Sequence, residues 1–178
     1  VRLVGSEMCI RDSYQTNLAG ADEEVEKEAN EAVALQASRE SVVLLKNENS
    51  TLPLNINTVK KIAVCGPNAD EDGYALTHYG PLAVEVTTVL KGIQDKVNGK
   101  AEVLYTKGCD LVDANWPESE IIDYPLTPDE QAEINKAVEN ARRADVAVVV
   151  LGGGQRTCGE NKSRSSLDLP GRQLQLLQ

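Results

Sequence analysis

The spacing of apolar positions changes along this chain, and each change marks a predicted secondary-structure element. Over residues 22–46, apolar side chains such as Val25 and Val33 recur roughly at the spacing of one helix face. Asp22 is the expected N-cap, and the acids that follow it favour the positive end of a helix dipole. We therefore expect one long helix, ended by the Asn, Ser and Pro of residues 47–54.

Beyond residue 54, shorter apolar runs alternate between strand and helix character. Asn98-Gly99 is a helix stop, and Thr127-Pro128 followed by two acids is a strong helix start. The predicted elements are strands over residues 61–66, 101–106 and 145–151, helices over residues 87–97 and 128–143, and an irregular insertion over residues 109–126.

The alternation of strands and helices predicts the α/β fold class, a sandwich in which a largely parallel sheet is flanked by helices. Residues 146–150 are nearly all valine, so we expect the third strand to be buried on both faces. Residues 170–178 resemble a helix that has only begun, which predicts a domain incomplete at the C-terminus. In such sheets, ligands bind at the carboxyl ends of the strands.

Composition and charge exclude several classes of partner. The 178 residues carry 18 Lys and Arg against 28 Asp and Glu, a formal charge of −10, whereas nucleic acids and anionic membranes select basic patches. No apolar run approaches the length that spans a bilayer. A single His and the lack of a CxxC pair argue against a zinc site. We predict no metal site and no nucleic-acid or membrane partner.

Residues 1–13 are expected to be non-native. Residues 8–13 match a translation of the transposase mosaic-end adapter used in DNA library preparation, whose bases ATG TGT ATA AGA GAC AG read as Met-Cys-Ile-Arg-Asp and the start of a Ser codon. Segments of this origin are excluded from fold reasoning. Of the cysteines outside this segment, Cys65 ends an apolar strand and is expected to be a small buried side chain.

The loop after the third strand, residues 152–166, opens with three glycines. Gly152 and Gly154 fit the first two positions of a dinucleotide-binding GxGxxG pattern, but Thr157 occupies the third and no helix follows promptly. A P-loop pattern is absent as well. A nucleotide-binding α/β domain therefore stays open as an alternative that rests on a weak match.

Three stretches resemble glycoside hydrolase family 3, in that family's order and roughly its spacing. Residues 159–173 have the shape E-x-x-S/D-R-x-x-L-x-L-P-x-x-Q of the family's C-terminal domain. Residues 37–54, with ASRESVVLLKN and then LPL, resemble the passage from the family's barrel into its second domain. Residues 62–70, IAVCGPNAD, with residues 86–93, form the third match. Together they cover nearly all of residues 28–178.

The resemblance implies a (β/α)8 barrel, absent from this chain, followed by an α/β domain. Residues 14–58 would then be a helix and linker from the barrel, and residues 59–178 the truncated second domain. Glu160 matches the general acid/base that this domain lends from a loop after a strand. The catalytic nucleophile, an Asp, belongs to the barrel and is assigned to no residue here. No cofactor is implied.

The resemblance also implies substrate-binding candidates. Tyr79 and His78, in the loop after the first strand, match a segment that can bring an aromatic toward the leaving-group subsite, with ordinary loop packing as the alternative. Arg164 is a third candidate, expected to pair with an acid and hold the loop or to contact the neighbouring domain, with a solvated surface position as the alternative. Relatives often carry Glu where this chain has Gly153.

The implied function is that of a retaining β-glycosidase, a β-glucosidase acting on terminal β-D-glucosyl residues of oligosaccharides. β-Xylosidase is the nearest alternative, because sugar selection lies largely in the barrel. A non-catalytic carbohydrate-binding module is a further alternative, against which one Trp, five Tyr and no Phe argue. By resemblance, the protein is periplasmic or secreted, and this chain alone is expected to be inactive.

Overall fold

The computed structural model describes residues 23–73, 86–112, 122, 124–154, 156–158 and 163–178. The chain divides into two units, one ending at Leu52 and the other beginning at Pro53. In chain order the elements are α1 (Glu23–Ser41), a short 3₁₀ helix (Glu48–Ser50), β1 (Lys61–Cys65), α2 (Val89–Val97), β2 (Glu102–Thr106), α3 (Pro128–Arg143), β3 (Val146–Val149) and α4 (Gln173–Leu177). The predictions for residues 1–13, for Asp22 and for most of the insertion fall outside the described residues.

A parallel three-stranded sheet forms the centre of the second unit, which confirms the predicted α/β class. The strand order is β2-β1-β3, so β1 pairs with both of the others. Ile62 on β1 lies beside Val103 on β2 and Val146 on β3. All three strands therefore end at the same edge of the sheet.

Two apolar clusters hold helices against the sheet. In one, Ile62 and Val64 of β1 pack with Leu90 and Val97 of α2. In the other, Cys65 packs with Ile134 and Ala137 of α3 and Leu176 of α4. Because the two clusters contain alternate residues of β1, they lie on opposite faces of the sheet, and β1 is buried almost throughout. The predicted burial of Cys65 is confirmed.

The helix α3 begins and ends where the sequence predicts, and α2 ends where predicted but begins at Val89, two residues later than expected. Thr127 Oγ1 accepts a hydrogen bond from Glu130 N at 3.2 Å, and Glu130 Oε2 accepts one from Thr127 N at 2.7 Å, which makes a capping box. At the end of α2, Asn98 adopts a left-handed conformation with φ 45°. These signals act within one turn of the chain, so they can be recognised in the sequence without knowledge of the fold.

The predicted end of the first helix at residue 46 is wrong, since α1 ends at Ser41. Val42 and Val43 follow directly, and β-branched residues lose side-chain freedom in a helix. Helices in proteins owe most of their stability to a packed apolar face. Val42 and Val43 are exposed, so no such packing offsets their low propensity within the described chain.

The prediction that the third strand is buried on both faces is also wrong. Along β3 partly buried and exposed residues alternate, with Ala147 and Val149 exposed. The reason is position: β3 lies at an edge of the described sheet, and α3 packs mainly over β1 and β2. The strand that is buried on both faces is β1.

Gly66 is required where the chain just after β1 lies against Val150, just after β3. Its φ is +111°, and a Cβ on it would lie 2.1 Å from the carbonyl oxygen of Val150. We expect Gly66→Ala to lower the free energy of unfolding by about 3 kcal/mol or more, because a disfavoured backbone conformation and a clash with rigid backbone add together. Urea denaturation followed by circular dichroism measures the loss.

Gly99→Ala is the matched control, since Gly99 also has a positive φ of +74° but nothing lies within 4 Å of an added Cβ. It should cost only about 1–2 kcal/mol, the backbone contribution alone. Equal losses of stability at the two positions would contradict the importance of the close approach of Gly66 to Val150.

Candidate functional site

The loops that follow the three strands are hydrogen-bonded to one another at the carboxyl edge of the sheet. Gly66 N, after β1, donates to Lys107 O, after β2, at 3.0 Å. Asn68 Nδ2, after β1, donates to Gly153 O, after β3, at 3.1 Å. This is the edge at which open parallel sheets bind their ligands.

A cavity of about 380 Å³ opens between these loops. Each loop contributes charged side chains, and Lys107 and Asp110 form an ion pair there. The lining residues are Glu71, Lys107, Asp110, Leu111, Val112, Gly154 and Arg156. The volume falls in the range of small-molecule pockets, about 300–1,000 Å³, and charges of both signs favour a ligand rich in polar groups.

The loop between Gly152 and Gln173 is closed at its base by the Gln173 side chain. Gln173 Oε1 accepts from Gly152 N at 2.8 Å, and Gln173 Nε2 donates to Gly152 O at 3.0 Å. The same Nε2 donates to Leu111 O at 3.3 Å. The amide is fully buried, with 0% of the residue exposed. We call Gly152 and Gln173 the stem of this loop.

A second contact lies just beyond the stem, around Gly153. A Cβ on Gly153 would lie 2.8 Å from Thr157 Oγ1, 2.9 Å from Cys158 Sγ and 3.8 Å from Arg164 Nη1. The Cys158 thiol and the end of the Arg164 side chain therefore both reach Gly153. A Glu in place of Gly153 would not fit unless the side chains of Thr157 and Cys158 moved.

Among the sequence-predicted site residues, only Arg164 is described. It is half-buried, and its Nη2 donates to Asp168 O, so the guanidinium braces the loop from within. Its assignment to substrate binding stays a prediction. Glu160, Tyr79 and His78 lie outside the described residues, and their assignments stay predictions as well.

The glycines after β3 do not offer the free N–H groups of a phosphate-binding loop. Gly152 N donates to Gln173 Oε1, and Gly154 N donates to Thr157 Oγ1 at 2.9 Å. A phosphate-binding loop instead directs its backbone N–H groups at the ligand. Internal hydrogen bonds at two of the three glycines argue against the nucleotide-binding alternative.

The described cysteines are free thiols. Burial raises the pKa of Cys65, and it raises the pKa of Cys109 to about 12. Both are therefore neutral at physiological pH, when a thiol is a weak nucleophile and a weak metal ligand. Within the described ranges, no three His, Cys, Asp or Glu side chains are grouped so that they could hold a metal ion.

Two buried polar residues of the site region, Arg172 and Gln173, are not among the sequence-predicted site residues. Arg172 lies 4.8 Å above the ring of Tyr124, its Nε lies 2.9 Å from Glu130 Oε1, and its Nη2 donates to Pro125 O at 3.0 Å. Arg and Gln are usually exposed. The only signal in the sequence is their place inside the L-x-L-P-x-x-Q string.

A parallel α/β domain with a long loop over the carboxyl edge of its sheet is a scaffold typical of enzyme active sites. The family profile "Glycosyl hydrolase family 3 C-terminal domain" matches residues 42–178. The chain belongs to glycoside hydrolase family 3.

Its relatives include enzymes named for two different sugars. The chain is 34% identical over 151 residues to a β-xylosidase of Formosa agariphila, covering 82% of this chain and 19% of that protein. It is 36% identical over 165 residues to a periplasmic β-glucosidase of Salmonella typhimurium, covering 88% and 21%. A solved family 3 exo-β-xylosidase, in complex with a xylobiose aziridine probe, superposes with a TM-score of 0.67 at 28% identity over 87% of this chain and 18% of that one. The chain thus spans about a fifth of the length of these relatives.

The ion pair of Arg172 and Glu130 gives the domain a predicted pH dependence. Burial acts to raise the pKa of Glu130, but hydrogen bonds from Arg172 and Thr127 outweigh it, so the pKa lies below its ordinary 4.5. A carboxyl group whose pKa is lowered by folding contributes stability that is present above the ordinary pKa and lost as the pH falls through the folded value.

We expect Glu130→Gln to lower the free energy of unfolding near pH 7 by about 3 kcal/mol, because Arg172 is left buried without its charge partner. The variant should also lose less stability than the parent between about pH 5 and pH 3. Thermal unfolding across that range measures both effects. Glu133→Gln, an exposed acid on the same helix, is the control. If Glu130→Gln and the parent lose stability in parallel on acidification, the ion pair is not the source of the pH dependence.

Proposed function

We propose that this chain is the second domain of a retaining β-glycosidase that hydrolyses terminal β-D-glucosyl residues of oligosaccharides, and that Glu160 is its general acid/base. The observation that carries the proposal is the anchoring of the loop, since the Cys158 thiol and the end of the Arg164 side chain both reach Gly153 at the carboxyl edge of the sheet. Two residues of chain span at most about 7 Å. We therefore infer that an acid two positions after Cys158 stays near that edge.

The proposed chemistry needs a second carboxylate. Retaining glycosidases hold two carboxyl groups about 5–5.5 Å apart. One attacks the anomeric carbon while the other gives its proton to the departing glycosidic oxygen. The second group then takes a proton from the water that attacks the glycosyl-enzyme and releases the first carboxylate. We assign the second role to Glu160 and the nucleophile to a (β/α)8 barrel elsewhere in the same protein, so this chain alone would be inactive.

Exposed apolar residues support the proposal that this chain works within a larger protein. Val42, Val43, Leu44 and Leu45 are 61–92% exposed in succession. Leu167, inside the loop closed by Gly152 and Gln173, is 104% exposed. Contiguous exposed apolar surface marks a site of interaction. A barrel domain packed against these residues would remove them from water.

The sugar specificity is also a proposal, and it rests on the relatives of this chain. Relatives named as β-glucosidase and as β-xylosidase both match the chain well. We favour β-glucosidase, with β-xylosidase as the alternative, and we propose that Tyr79 and His78 contact the leaving group and Arg164 supports the site.

The proposed location is periplasmic or secreted. The support is that one relative is named a periplasmic β-glucosidase. No helix in the described part of the chain is both long and apolar enough to cross a membrane.

The test is made on the protein expressed from the complete reading frame that encodes this chain. Glu160→Ala should lower kcat/KM for aryl β-glucosides with poor leaving groups by about 10²–10⁴-fold, because general acid catalysis is lost. With a 2,4-dinitrophenyl β-glucoside, added azide should restore turnover and yield the β-glucosyl azide, because azide attacks the glycosyl-enzyme without a base. Parallel assays on aryl β-xylosides decide the sugar.

Asp168→Ala is the matched control, because Asp168 is an exposed carboxylate of the same loop. It should keep the parent's rates and show no response to azide. A Glu160→Ala enzyme as active as the parent would remove Glu160 from the mechanism and leave this domain a scaffold.

A further inference from the structure

The loop proposed to carry the acid/base is joined to the cavity wall by one side chain. Gln173 binds the main chain of Gly152, where the loop leaves β3, and the carbonyl of Leu111, which lines the cavity. Gln173 itself is where the loop returns and α4 begins. Its amide therefore sets the distance between the two ends of the loop and between the loop and the cavity.

The position requires both a hydrogen-bond donor and an acceptor on a side chain of this length. Gln173 accepts from Gly152 N and donates to Gly152 O and Leu111 O, and the Gln173 side chain itself is fully buried. An apolar side chain would leave a buried N–H and two carbonyls without partners, at a cost of about 1–3 kcal/mol for each unpaired group. A carboxylate cannot donate, and Asn is one methylene too short to span the same gap.

Other contacts hold α4 in place without Gln173. Arg172 is bound to Glu130, and Leu176 packs in the cluster with Ile134 and Ala137. Loss of the Gln173 hydrogen bonds should therefore shift the stem of the loop while the helix stays docked. Gly152 directly precedes Gly153, which the Cys158 thiol and the end of the Arg164 side chain both reach, so a shift of the stem should disturb the contacts that hold the segment between them.

We propose that Gln173 is a positioning residue that fixes the acid/base loop relative to the cavity; this inference rests on the proposed role of Glu160. Proton transfer needs the acid within hydrogen-bond reach of the glycosidic oxygen. A misplacement of about 1 Å can cost about 10²-fold in rate. The loss of activity on replacing Gln173 should therefore appear in the step in which the glycosidic oxygen is protonated.

The first experiment compares Gln173→Met with Gln175→Met in the protein from the complete reading frame. Gln175 is an exposed glutamine on the same helix, so its variant makes the same chemical change away from the stem. The measured quantity is kcat/KM for phenyl β-glucoside, whose leaving group needs a proton, and for 2,4-dinitrophenyl β-glucoside, whose leaving group does not. Gln173→Met should lose about 10–100-fold on the phenyl substrate and less than about 3-fold on the activated one. Gln175→Met should match the parent on both.

The double variant Glu160→Ala/Gln173→Met separates positioning from a general loss of structure. If Gln173 acts through Glu160, the double variant should match Glu160→Ala within about 3-fold on the phenyl substrate, because the two effects are not additive. Equal losses by Gln173→Met on both substrates, or additive losses in the double variant, overturn the positioning role and leave the acid/base assignment intact. Failure of that assignment is seen separately, as full activity of Glu160→Ala alone.

Hydrogen exchange of the protein from the complete reading frame gives a readout that needs no activity. In Gln173→Met, amides of residues 153–171 should exchange faster than in Gln175→Met, while amides of β1 keep their protection. Loop exchange equal to the control overturns the proposal. Loss of protection throughout β1 also overturns it, since Gln173 would then support the whole fold.

Discussion

The structure depends on how the backbone polar groups at the carboxyl edge of the sheet are satisfied. Each strand ends there with N–H and C=O groups that can no longer pair along the ladder, and a buried unpaired group costs about as much as a lost hydrogen bond. Gly66 N pairs with Lys107 O, and the main chain of Gly152 pairs with the amide of Gln173. These bonds join the loops at this edge of the sheet, and the cavity lies between the loops so joined.

The same requirement gives two residues of the family motif a structural role. Arg172 and Gln173 are adjacent, yet Arg172 binds Glu130 at the start of α3, and Gln173 binds Gly152 after β3 and Leu111 in the loop after β2. Their side chains turn in different directions from the first turn of a short helix. Together they fix the C-terminal end of the long loop against α3 and against the loops after β2 and β3. These contacts offset the entropic cost of holding the two ends of that loop together.

Features with local causes could be predicted from the sequence, and features with distant causes could not. The helix start at Thr127-Pro128 and the stop at Asn98 depend on residues within one turn, and both predictions are confirmed. The end of α1 and the exposure of β3 depend on which faces find a packing partner, and both predictions are wrong. Burial of Arg172 and Gln173 depends on residues 42 and 62 positions away, so propensity alone places them on the surface. The sequence predicted that the site lies at the carboxyl edge of the sheet, in the loop after the third strand. The residues that hold that loop were identified only from the structure.

The contacts of the described loop residues bear on where the proposed general acid lies, but they do not account for the pKa that it would need. A general acid needs a pKa near the working pH, and a carboxyl group reaches it by desolvation. Cys158 and Ser163, on either side of residues 159–162, are exposed, and so is Leu167. Burial of this segment would have to come from the substrate and from the proposed barrel, which would also bring the nucleophile. In the proposed enzyme this domain holds the acid in place, and the other domain and the sugar together give it its proton affinity. Hydrolysis would then begin only when the sugar lies between the two domains.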